Sequence, residues 1–404
     1  MPRKKEKKEK KTRPRQILGA FDFEFFTVTM ILLGFGLVMV FSASMPTALY
    51  RSIYEHDKYA VFRNQSMWAA MGLAAMFALS RFDYHKLKKW VNVTFLGSLV
   101  LMLLVPFIGV TRNGATRWLG FGSFTIQPSE ILKFTLIAFF AKRLSEDDKD
   151  KIRDFKEGLL PLLIWLGICA GLCVFQSHLS AMVMMVALGG VMIVAGGANW
   201  KHLAPFAVIG AIGVWALIKF EPYRMARFTA FLDPFADPQD SGYQIVQSLY
   251  AIGSGGFFGL GLGQSRQKFL YLPEAYNDYI FSVICEELGL LGAIVVLALF
   301  AFFIYRGIRI AFHAPDQFGM YLAFGVVAMV GLQVAINVAV DTSWLPSTGM
   351  PLPFFTAGGS ALVFLLAAVG VLLNISRQGT ADKNKSAFAG FLRKGQTSSK
   401  GEEA

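Results

Sequence analysis

The stretch from Gln244 to Gly289 reads QIVQSLYAIGSGGFFGLGLGQSRQKFLYLPEAYNDYIFSVICEELG. It begins as a glycine-rich, polar segment that is too broken to cross a bilayer as a helix. It ends by bringing a lone aspartate, Asp278, to the start of an apolar helix. Because most of the remaining chain is apolar, this polar segment is the first place to look for chemistry.

Long apolar runs make up most of the rest of the chain. The 404 residues are 54% hydrophobic and 16% charged, whereas soluble domains carry about 25% charged residues. A membrane-spanning helix needs about 20 mostly apolar residues. We therefore predict an all-α polytopic membrane protein with ten transmembrane helices, at about 23–41, 60–80, 91–109, 128–144, 158–175, 179–197, 203–219, 279–305, 318–340 and 355–375.

The basic residues indicate how these helices are oriented. With the N-terminus in the cytoplasm, the internal segments carry 28 Lys and Arg residues and the external segments carry 9, as the positive-inside rule requires. Topology thus explains the net charge of +12, and we expect no nucleic-acid partner. Both termini are then cytoplasmic, and a large extracellular loop, residues 220–278, joins helices 7 and 8.

Composition divides the chain into three parts. Residues 1–20 are predicted to form a disordered basic cytoplasmic tail, 21–378 the ten-helix transmembrane domain, and 379–404 a second disordered cytoplasmic tail. The extracellular loop is far longer than ordinary connections, so we expect it to be functional or to fold by itself. An amphipathic segment at about 243–252 is expected to lie at the membrane surface.

Two common kinds of site are not indicated. The glycines between 253 and 263 do not match a nucleotide-binding loop, so we interpret them as tight turns and close packing, with backbone amides beside a diphosphate as the alternative. The three cysteines and five histidines lack the spacing of metal ligands. We therefore predict no protein metal centre.

Asp278 has two interpretations. An acid at this position can simply stabilise the start of the helix. Its neighbours favour a functional role, because Glu274 lies one turn before it and Arg266 and Lys268 lie upstream. Together these side chains would form a polar pocket at the outer membrane surface.

A second group of polar residues lies around the predicted fourth helix. Arg112 and Arg117 lie in an external loop, where they could bind an anionic headgroup. Glu130 and Lys133 are three residues apart on one helix face, either as a structural ion pair or facing a cavity. We further expect Lys133 to neutralise one of two deep acids, Glu286 and Glu287.

The segment 346–360 reads PSTGMPLPFFTAGGS, and three prolines with three glycines cannot form ordinary helix. Irregular backbone at membrane depth is tolerated where it is buried or lines a cavity. We therefore expect this segment to fold back onto the Asp278 pocket. His178, at a helix boundary, is interpreted as an interfacial residue.

Four motifs together resemble the SEDS family, which comprises the FtsW, RodA and SpoVE proteins. They are IQPSE at 126–130, QSLYAIGSGGFFGLGLGQSRQKFLYLPE at 247–274, the acid and EELG block at 278–289, and the PSTG to GGS element at 346–360. The likeness covers about residues 20–378 and is greatest to the FtsW/SpoVE branch.

This resemblance implies a peptidoglycan glycosyltransferase in the bacterial cytoplasmic membrane, acting in cell division or sporulation. Its substrate would be lipid II, the undecaprenyl-diphosphate-linked disaccharide pentapeptide. Its partners would be a class B penicillin-binding protein and other divisome or elongasome membrane proteins. The essential aspartate of the family maps onto Asp278, and the IQPSE glutamate and following lysine map onto Glu130 and Lys133.

The chain departs from the family pattern at three places. The family element QPDLGT reads QSHLSA, so that His178 replaces an acid. The family element SYGGSS reads TAGGSA, with Ala357 and Ser360 in it. An additional acid, Asp341, precedes the last external loop.

The implied reaction suggests roles for these residues. Asp278 would act as general base in an inverting displacement. Arg117, Arg266 and Lys268, or a divalent cation such as Mg²⁺ or Mn²⁺, would balance the charge of the leaving diphosphate. Two alternatives stay open: a lipid II flippase, and a non-catalytic scaffold that recruits the penicillin-binding protein.

Overall fold

The computed structural model describes residues 19–51, 56–112, 115–121, 124–146 and 151–399. This part of the chain is mostly helical. Its helices are α1 Phe23–Tyr50, α2 Ala60–Arg81, α3 Tyr84–Ile108, α4 Pro128–Glu146, α5 Leu160–Phe175, α6 Leu179–Ala195, α7 Trp200–Lys219, α8 Pro222–Leu232, α9 Tyr243–Gly255, α10 Ile280–Phe312, α11 Gln317–Asp341 and α12 Gly359–Ser399.

Each of the ten predicted apolar runs lies on one of these helices. Seven helical segments of the described residues are long and apolar enough to cross a membrane, and α6 is a shorter apolar helix. The long loop contains α8 and α9, of which α9 begins where the amphipathic segment was predicted. Disordered tails were predicted at 1–20 and 379–404; residues 1–18 and 400–404 of them lie outside the described residues. Helix α12 continues to Ser399, past the predicted boundary at 378.

The expectation of a purely helical chain is wrong at one place. Residues 110–126 form an antiparallel sheet of three strands, β1 Val110–Arg112, β2 Ala115–Phe121 and β3 Phe124–Ile126. Threonines pair across β1 and β2, with 2.7 Å between the hydroxyls of Thr111 and Thr116. Strands β1 and β3 have three residues each, and the seven residues of β2, ATRWLGF, do not alternate apolar and polar side chains, so hydrophobic periodicity does not reveal the sheet in the sequence.

Glycines join the polar loop after α9 to a kink in α10. Gly289 has a φ of 67°, which interrupts the helix. A Cβ on Gly289 would come within 2.4 Å of the backbone nitrogen of Gly259. A side chain at Gly289 would therefore keep the loop backbone from packing this closely against α10. The amides of Leu260 and Gly261 donate at 2.9 Å to the carbonyls of Glu286 and Glu287. The glycines therefore serve close packing, as expected from the sequence.

The two deep acids of α10 bind this same loop rather than Lys133, so that hypothesis was wrong. Glu287 and Lys268 are fully buried and 2.7 Å apart, and Ser42 of α1 donates to Glu287. Glu286 accepts from the Ser265 hydroxyl and from the Arg266 amide at 2.9 Å. The loop folds over α10 and brings its own cation to the acids, whereas Lys133 pairs with Glu130.

Candidate active site

The backbone around Asp278 is held by the end of α11. The Asn337 side-chain amide donates to the Asp278 carbonyl at 2.7 Å. One turn further on, the buried Asp341 carboxyl accepts from the Ser282 amide at 3.1 Å. Tyr279 occupies the N-cap position of α10, so Asp341 carries out the helix-start role that the sequence had suggested for Asp278.

The proline- and glycine-rich segment folds back onto Asp278, as predicted. Gly349 has a φ of 68°, which suits glycine. A Cβ built on Gly349 would lie only 3.2 Å from Oδ2 of Asp278. Asn337 also donates to the Met350 carbonyl at 2.9 Å, so a single side chain holds both the aspartate and the segment that covers it.

The surroundings of Asp278 raise the pKa of its carboxyl group to about 7. Burial is the main cause, because it disfavours the charged form, and the negative charge of Glu274 adds to it. The positive charges of Arg227 and Arg117 act in the opposite direction. Asp278 is therefore close to half-ionised near neutral pH, as a general base requires.

Arginines from two distant parts of the chain, Arg117 and Arg227, act electrostatically on Asp278. Arg117 on β2 donates to the Ser177 carbonyl at 2.6 Å, and Arg227 on α8 donates to the Ser347 carbonyl at 3.3 Å. The charges of Arg227 and Arg224 lower the pKa of Arg117, in addition to the larger effect of burial. We refer to Arg117, Arg224 and Arg227 as the arginine cluster; guanidinium groups have the donors that hold carboxylate and phosphate oxygens.

Sequence reasoning selected Arg117 but missed Arg224 and Arg227. They are three residues apart in α8 and therefore lie on one helix face. That spacing was visible in the sequence, but no apolar run marked the segment as a helix.

A cavity of about 240 Å³ adjoins Asp278 through Gly349. Glu130 and Lys133 both line it and are 2.8 Å apart. Ser360 also lines it, beside Gly359, where a Cβ would come within 2.3 Å of the Trp68 indole. The structure thus brings Glu130, Lys133 and Ser360 together on one cavity, and their role in substrate binding stays a prediction.

Two predicted site residues, Lys268 and Arg266, lie elsewhere. The buried Lys268 ammonium is bound to Glu287, so it has no access to a substrate diphosphate, and this assignment was wrong. Arg266 is exposed and does not line the cavity, and its backbone serves to hold Glu286. The side chain of Arg112 lies outside the described part of the structure. The charge of Glu274 raises the pKa of Asp278, and the Glu274 carboxylate accepts a hydrogen bond from the Asn277 side-chain amide at 2.7 Å.

His178 lies at the N-cap position of α6, the helix boundary indicated by the sequence, and it is buried there. Its side chain is 9% exposed and lines the cavity together with Glu130 and Lys133. The turn that precedes it places Ser177 at a φ of 51° and lets the His178 amide bond to the Cys173 carbonyl at 2.8 Å. This turn directs the imidazole inward.

Among the described residues, no three His, Cys, Asp or Glu side chains are grouped as a metal site requires. The donor set therefore does not fit a resident metal ion. The positive charge that the site itself provides comes from the arginine cluster and from Lys133.

The sequence is similar to known proteins over nearly its full length. The family model for FtsW, RodA and SpoVE, described as "Cell cycle protein", matches residues 23–381. Stage V sporulation protein E of Bacillus subtilis is 43% identical over 358 residues, covering 88% of this chain and 97% of that protein. "Probable peptidoglycan glycosyltransferase FtsW" of a Geobacter species is 42% identical over 364 residues, covering 90% of this chain and 98% of that protein.

The fold is also found in solved structures. A chain described under "Structural coordination of polymerization and crosslinking by a peptidoglycan synthase complex" superposes with a TM-score of 0.75 at 24% identity, covering 89% of this chain and 98% of the other. Rod shape determining protein RodA of Thermus thermophilus gives a TM-score of 0.66 at the same identity, covering 89% and 97%. This chain is therefore a multi-pass membrane protein that belongs to the FtsW/RodA/SpoVE family.

Proposed function

We propose that this chain is a peptidoglycan glycosyltransferase that polymerises lipid II at the outer face of the bacterial cytoplasmic membrane. Relatives over 40% identical and of matching length include a named peptidoglycan glycosyltransferase and a sporulation protein. The observation that carries the proposal is the position of Asp278: its pKa is raised to about 7, and it lies between an arginine cluster and a polar cavity.

Asp278 is the general base of the proposed reaction. The acceptor hydroxyl gives its proton to the carboxylate as its oxygen attacks the anomeric carbon of the donor. The bond from that carbon to the diphosphate breaks at the same time, and its electron pair leaves with the diphosphate. Base and leaving group lie on opposite faces of the sugar, so the configuration at this carbon is inverted, by analogy with inverting glycosidases.

The departing diphosphate binds at the arginine cluster. Guanidinium groups hold phosphate oxygens through paired hydrogen bonds. Arg117 and Arg227 both act on Asp278 electrostatically, so they are close enough to balance charge that develops beside it. Because these groups are already fixed by backbone carbonyls, little reorganisation is needed as the bond breaks.

In this proposal the chain crosses the membrane ten times. Helices α1 to α7 and α10 to α12 are the ten spans, both termini are cytoplasmic, and the loop 220–278 with α8 and α9 is extracellular. The positive-inside count supports this arrangement. It places Asp278 and the arginines at the outer surface, where lipid-linked sugars meet the growing glycan strand.

We also propose a class B penicillin-binding protein as partner, together with other divisome or elongasome membrane proteins. One of the similar solved structures belongs to a peptidoglycan synthase complex in which polymerisation and crosslinking are coordinated. Co-purification of this chain with its cognate transpeptidase provides the test, and separate elution of the two would argue against a stable pair.

The central experiment uses labelled lipid II with the purified protein, with and without its partner. Wild type should form glycan strands, and Asp278→Asn should reduce their formation by about 10²–10⁴-fold, the usual contribution of a general base. Asp240→Asn, an exposed acid of the same loop, is the matched control and should keep wild-type activity. Strand formation by Asp278→Asn at the wild-type rate would refute the assignment.

The same preparation separates the two alternatives. A flippase would move lipid II across liposome membranes without forming polymer. A scaffold would bind the transpeptidase without either activity, and Asp278→Asn would then have no effect.

A further inference from the structure

Helix α11 ends in two fully buried polar side chains, Asn337 and Asp341. They are four residues apart and therefore lie on one face of the helix. The side-chain amide of Asn337 donates to two carbonyls, that of Asp278 at 2.7 Å and that of Met350 at 2.9 Å. Oδ2 of Asp341 accepts from both the amide and the hydroxyl of Ser282, each at 3.1 Å. The two side chains thus hold the backbone on either side of the start of α10.

Each of these side chains has one oxygen that lacks a hydrogen-bond partner among the described residues. The two atoms are Oδ1 of Asn337 and Oδ1 of Asp341. Both hydrogens of the Asn337 amide are already used by carbonyls, so its oxygen must find a donor where it lies. An amide oxygen and an ionised carboxylate oxygen only accept hydrogen bonds. Since buried polar atoms are almost always hydrogen-bonded, a hydrogen is missing between these two oxygens.

No positive charge neutralises Asp341. The titratable groups that interact with it in the described part of the chain are Tyr279, Cys285 and Asp278, and none of them is a cation. Helix α9 contributes a hydroxyl, because Ser248 donates to the backbone carbonyl of Asp341 at 2.7 Å. A carboxyl group that is buried without a cation takes up a proton rather than stay charged. Such a proton is the hydrogen that the two oxygens need.

We propose that Asp341 is a protonated positioning residue, whose Oδ1 donates a hydrogen bond to Oδ1 of Asn337 while its Oδ2 accepts from Ser282. One proton then satisfies both oxygens, and the bond fixes the Asn337 amide with its nitrogen toward the Asp278 carbonyl. Asp341 does not line the cavity, so it acts through its neighbours and not on the substrate. The inference rests on the proposed function, because it adds a residue that orients the general base.

A pH profile of polymerisation distinguishes a protonated Asp341 from an ionised one. Asp341→Asn keeps a donor and an acceptor in the same shape and carries no charge at any pH. If Asp341 is protonated, the acid limb of kcat/KM should have the same midpoint in this variant as in wild type. If Asp341 is ionised, the substitution removes a negative charge near Asp278, and the midpoint should move to lower pH. That shift would overturn the proposal.

The positioning role is tested by a variant that can neither donate nor accept. Asp341→Val should lower kcat about 5- to 100-fold, the value of two lost hydrogen bonds, with little change in KM. Asp341→Asn should recover most of this loss. The matched control is Thr342→Val at the next position, where the hydroxyl bonds to the Val338 carbonyl of the same helix at 2.7 Å. It should keep the wild-type kcat. A wild-type kcat in Asp341→Val, or an equal loss in Asp341→Asn, would contradict the role.

Infrared difference spectroscopy reports the proton without requiring activity. The spectrum of wild type minus Asp341→Asn, in a detergent without ester groups at pH 7, should contain the C=O stretch of a protonated carboxyl group. Asp240→Asn, which removes an exposed acid, should instead remove the bands of an ionised carboxylate. Asn337→Leu should move the Asp341 band to higher frequency, because the acid then loses its acceptor.

The spectra separate a failure of this inference from a failure of the proposed function. If wild type forms no polymer, the proposed function fails, but the carboxyl band still shows whether Asp341 is protonated. A wild-type spectrum without that band, or a band that Asn337→Leu does not move, would overturn the proposal. Unfolding midpoints identify a variant that does not fold. The spectrum and pH profile of Asp341→Asn, which preserves shape and hydrogen bonds, then decide the question.

Discussion

At the scale of single residues, the site depends on a balance of charges around Asp278. Burial and the carboxylate of Glu274 raise the pKa of Asp278, whereas Arg227 and Arg117 oppose that rise. The balance leaves the carboxyl group able to accept a proton near neutral pH. Asp341, fully buried on α11, keeps the helix start in place by accepting from the Ser282 amide.

The pH dependence of the reaction tests this balance. Because the base must be deprotonated, kcat/KM should fall as the pH drops below about 7, the pKa of Asp278. Glu274→Gln removes a negative charge that raises this pKa, so the midpoint of the acid limb should move to lower pH. The measurement is a profile of polymerisation rate from pH 5 to 9.

Asp240→Asn serves again as the control, since no effect of Asp240 on Asp278 is present. Its acid limb should coincide with that of wild type. An unchanged midpoint in Glu274→Gln would mean that Glu274 does not influence the base.

At the scale of elements, the loop after α9 and the kinked α10 form one unit. The backbone of α10 contacts the loop at the kink at Gly289, and the buried ion pair between Lys268 and Glu287 also joins the loop to the helix. A buried ion pair is weak evidence of stability by itself, but removing one partner leaves an uncompensated charge. The unit places Asp278, which follows the loop directly, at a fixed distance from α11.

Lys268→Met should therefore destabilise the protein by roughly 3–5 kcal/mol. The double variant with Glu287→Met should recover most of this loss, because both buried charges are then gone. Unfolding midpoints in detergent measure the effect.

The matched control is Lys88→Met, which breaks a half-exposed pair with Glu146 at 3.4 Å. That change should cost only about 0–1 kcal/mol. Equal destabilisation by Lys268→Met and Lys88→Met would show that losing a partner of the buried pair costs no more stability than losing a partner of the half-exposed pair.

At the scale of the whole molecule, the helices form a bundle with a polar cavity at one end. Helix α2 packs against α12, α10 against α11, and α3 and α11 against α4. The cavity and the arginine cluster both lie next to the proline- and glycine-rich segment between α11 and α12. Substrate tails can then remain in the lipid while their headgroups react.

The proposed orientation predicts which positions are accessible from outside. The three native cysteines are buried, so labelling background should be low. Gln239→Cys, on the 220–278 loop, should react with a membrane-impermeant maleimide in intact spheroplasts. Lys89→Cys, an exposed position in the first turns of α3 at the proposed cytoplasmic side, should react only after permeabilisation. The reverse pattern would invert the topology.

Much of the fold could be predicted from the sequence because the relevant forces are local. A bilayer offers no hydrogen bonds to the backbone, so long apolar runs must become helices. Basic residues beside those runs orient them. Asp278, Glu130 and Lys133 were found through motifs that are contiguous in the chain. The sheet was missed because β1 and β3 have only three residues each and the seven residues of β2 do not alternate apolar and polar side chains.

The tertiary structure decided which charges meet and which polar groups face the cavity. Lys268 rather than Lys133 neutralises Glu287, Arg227 joins Arg117 across 110 positions of the sequence, and His178 turns inward. These outcomes depend on how helices rotate and how loops return to the membrane, which local composition does not encode. The sequence by itself determined the helices and the acid at the centre of the site, and the three-dimensional packing determined the partners with which that acid works.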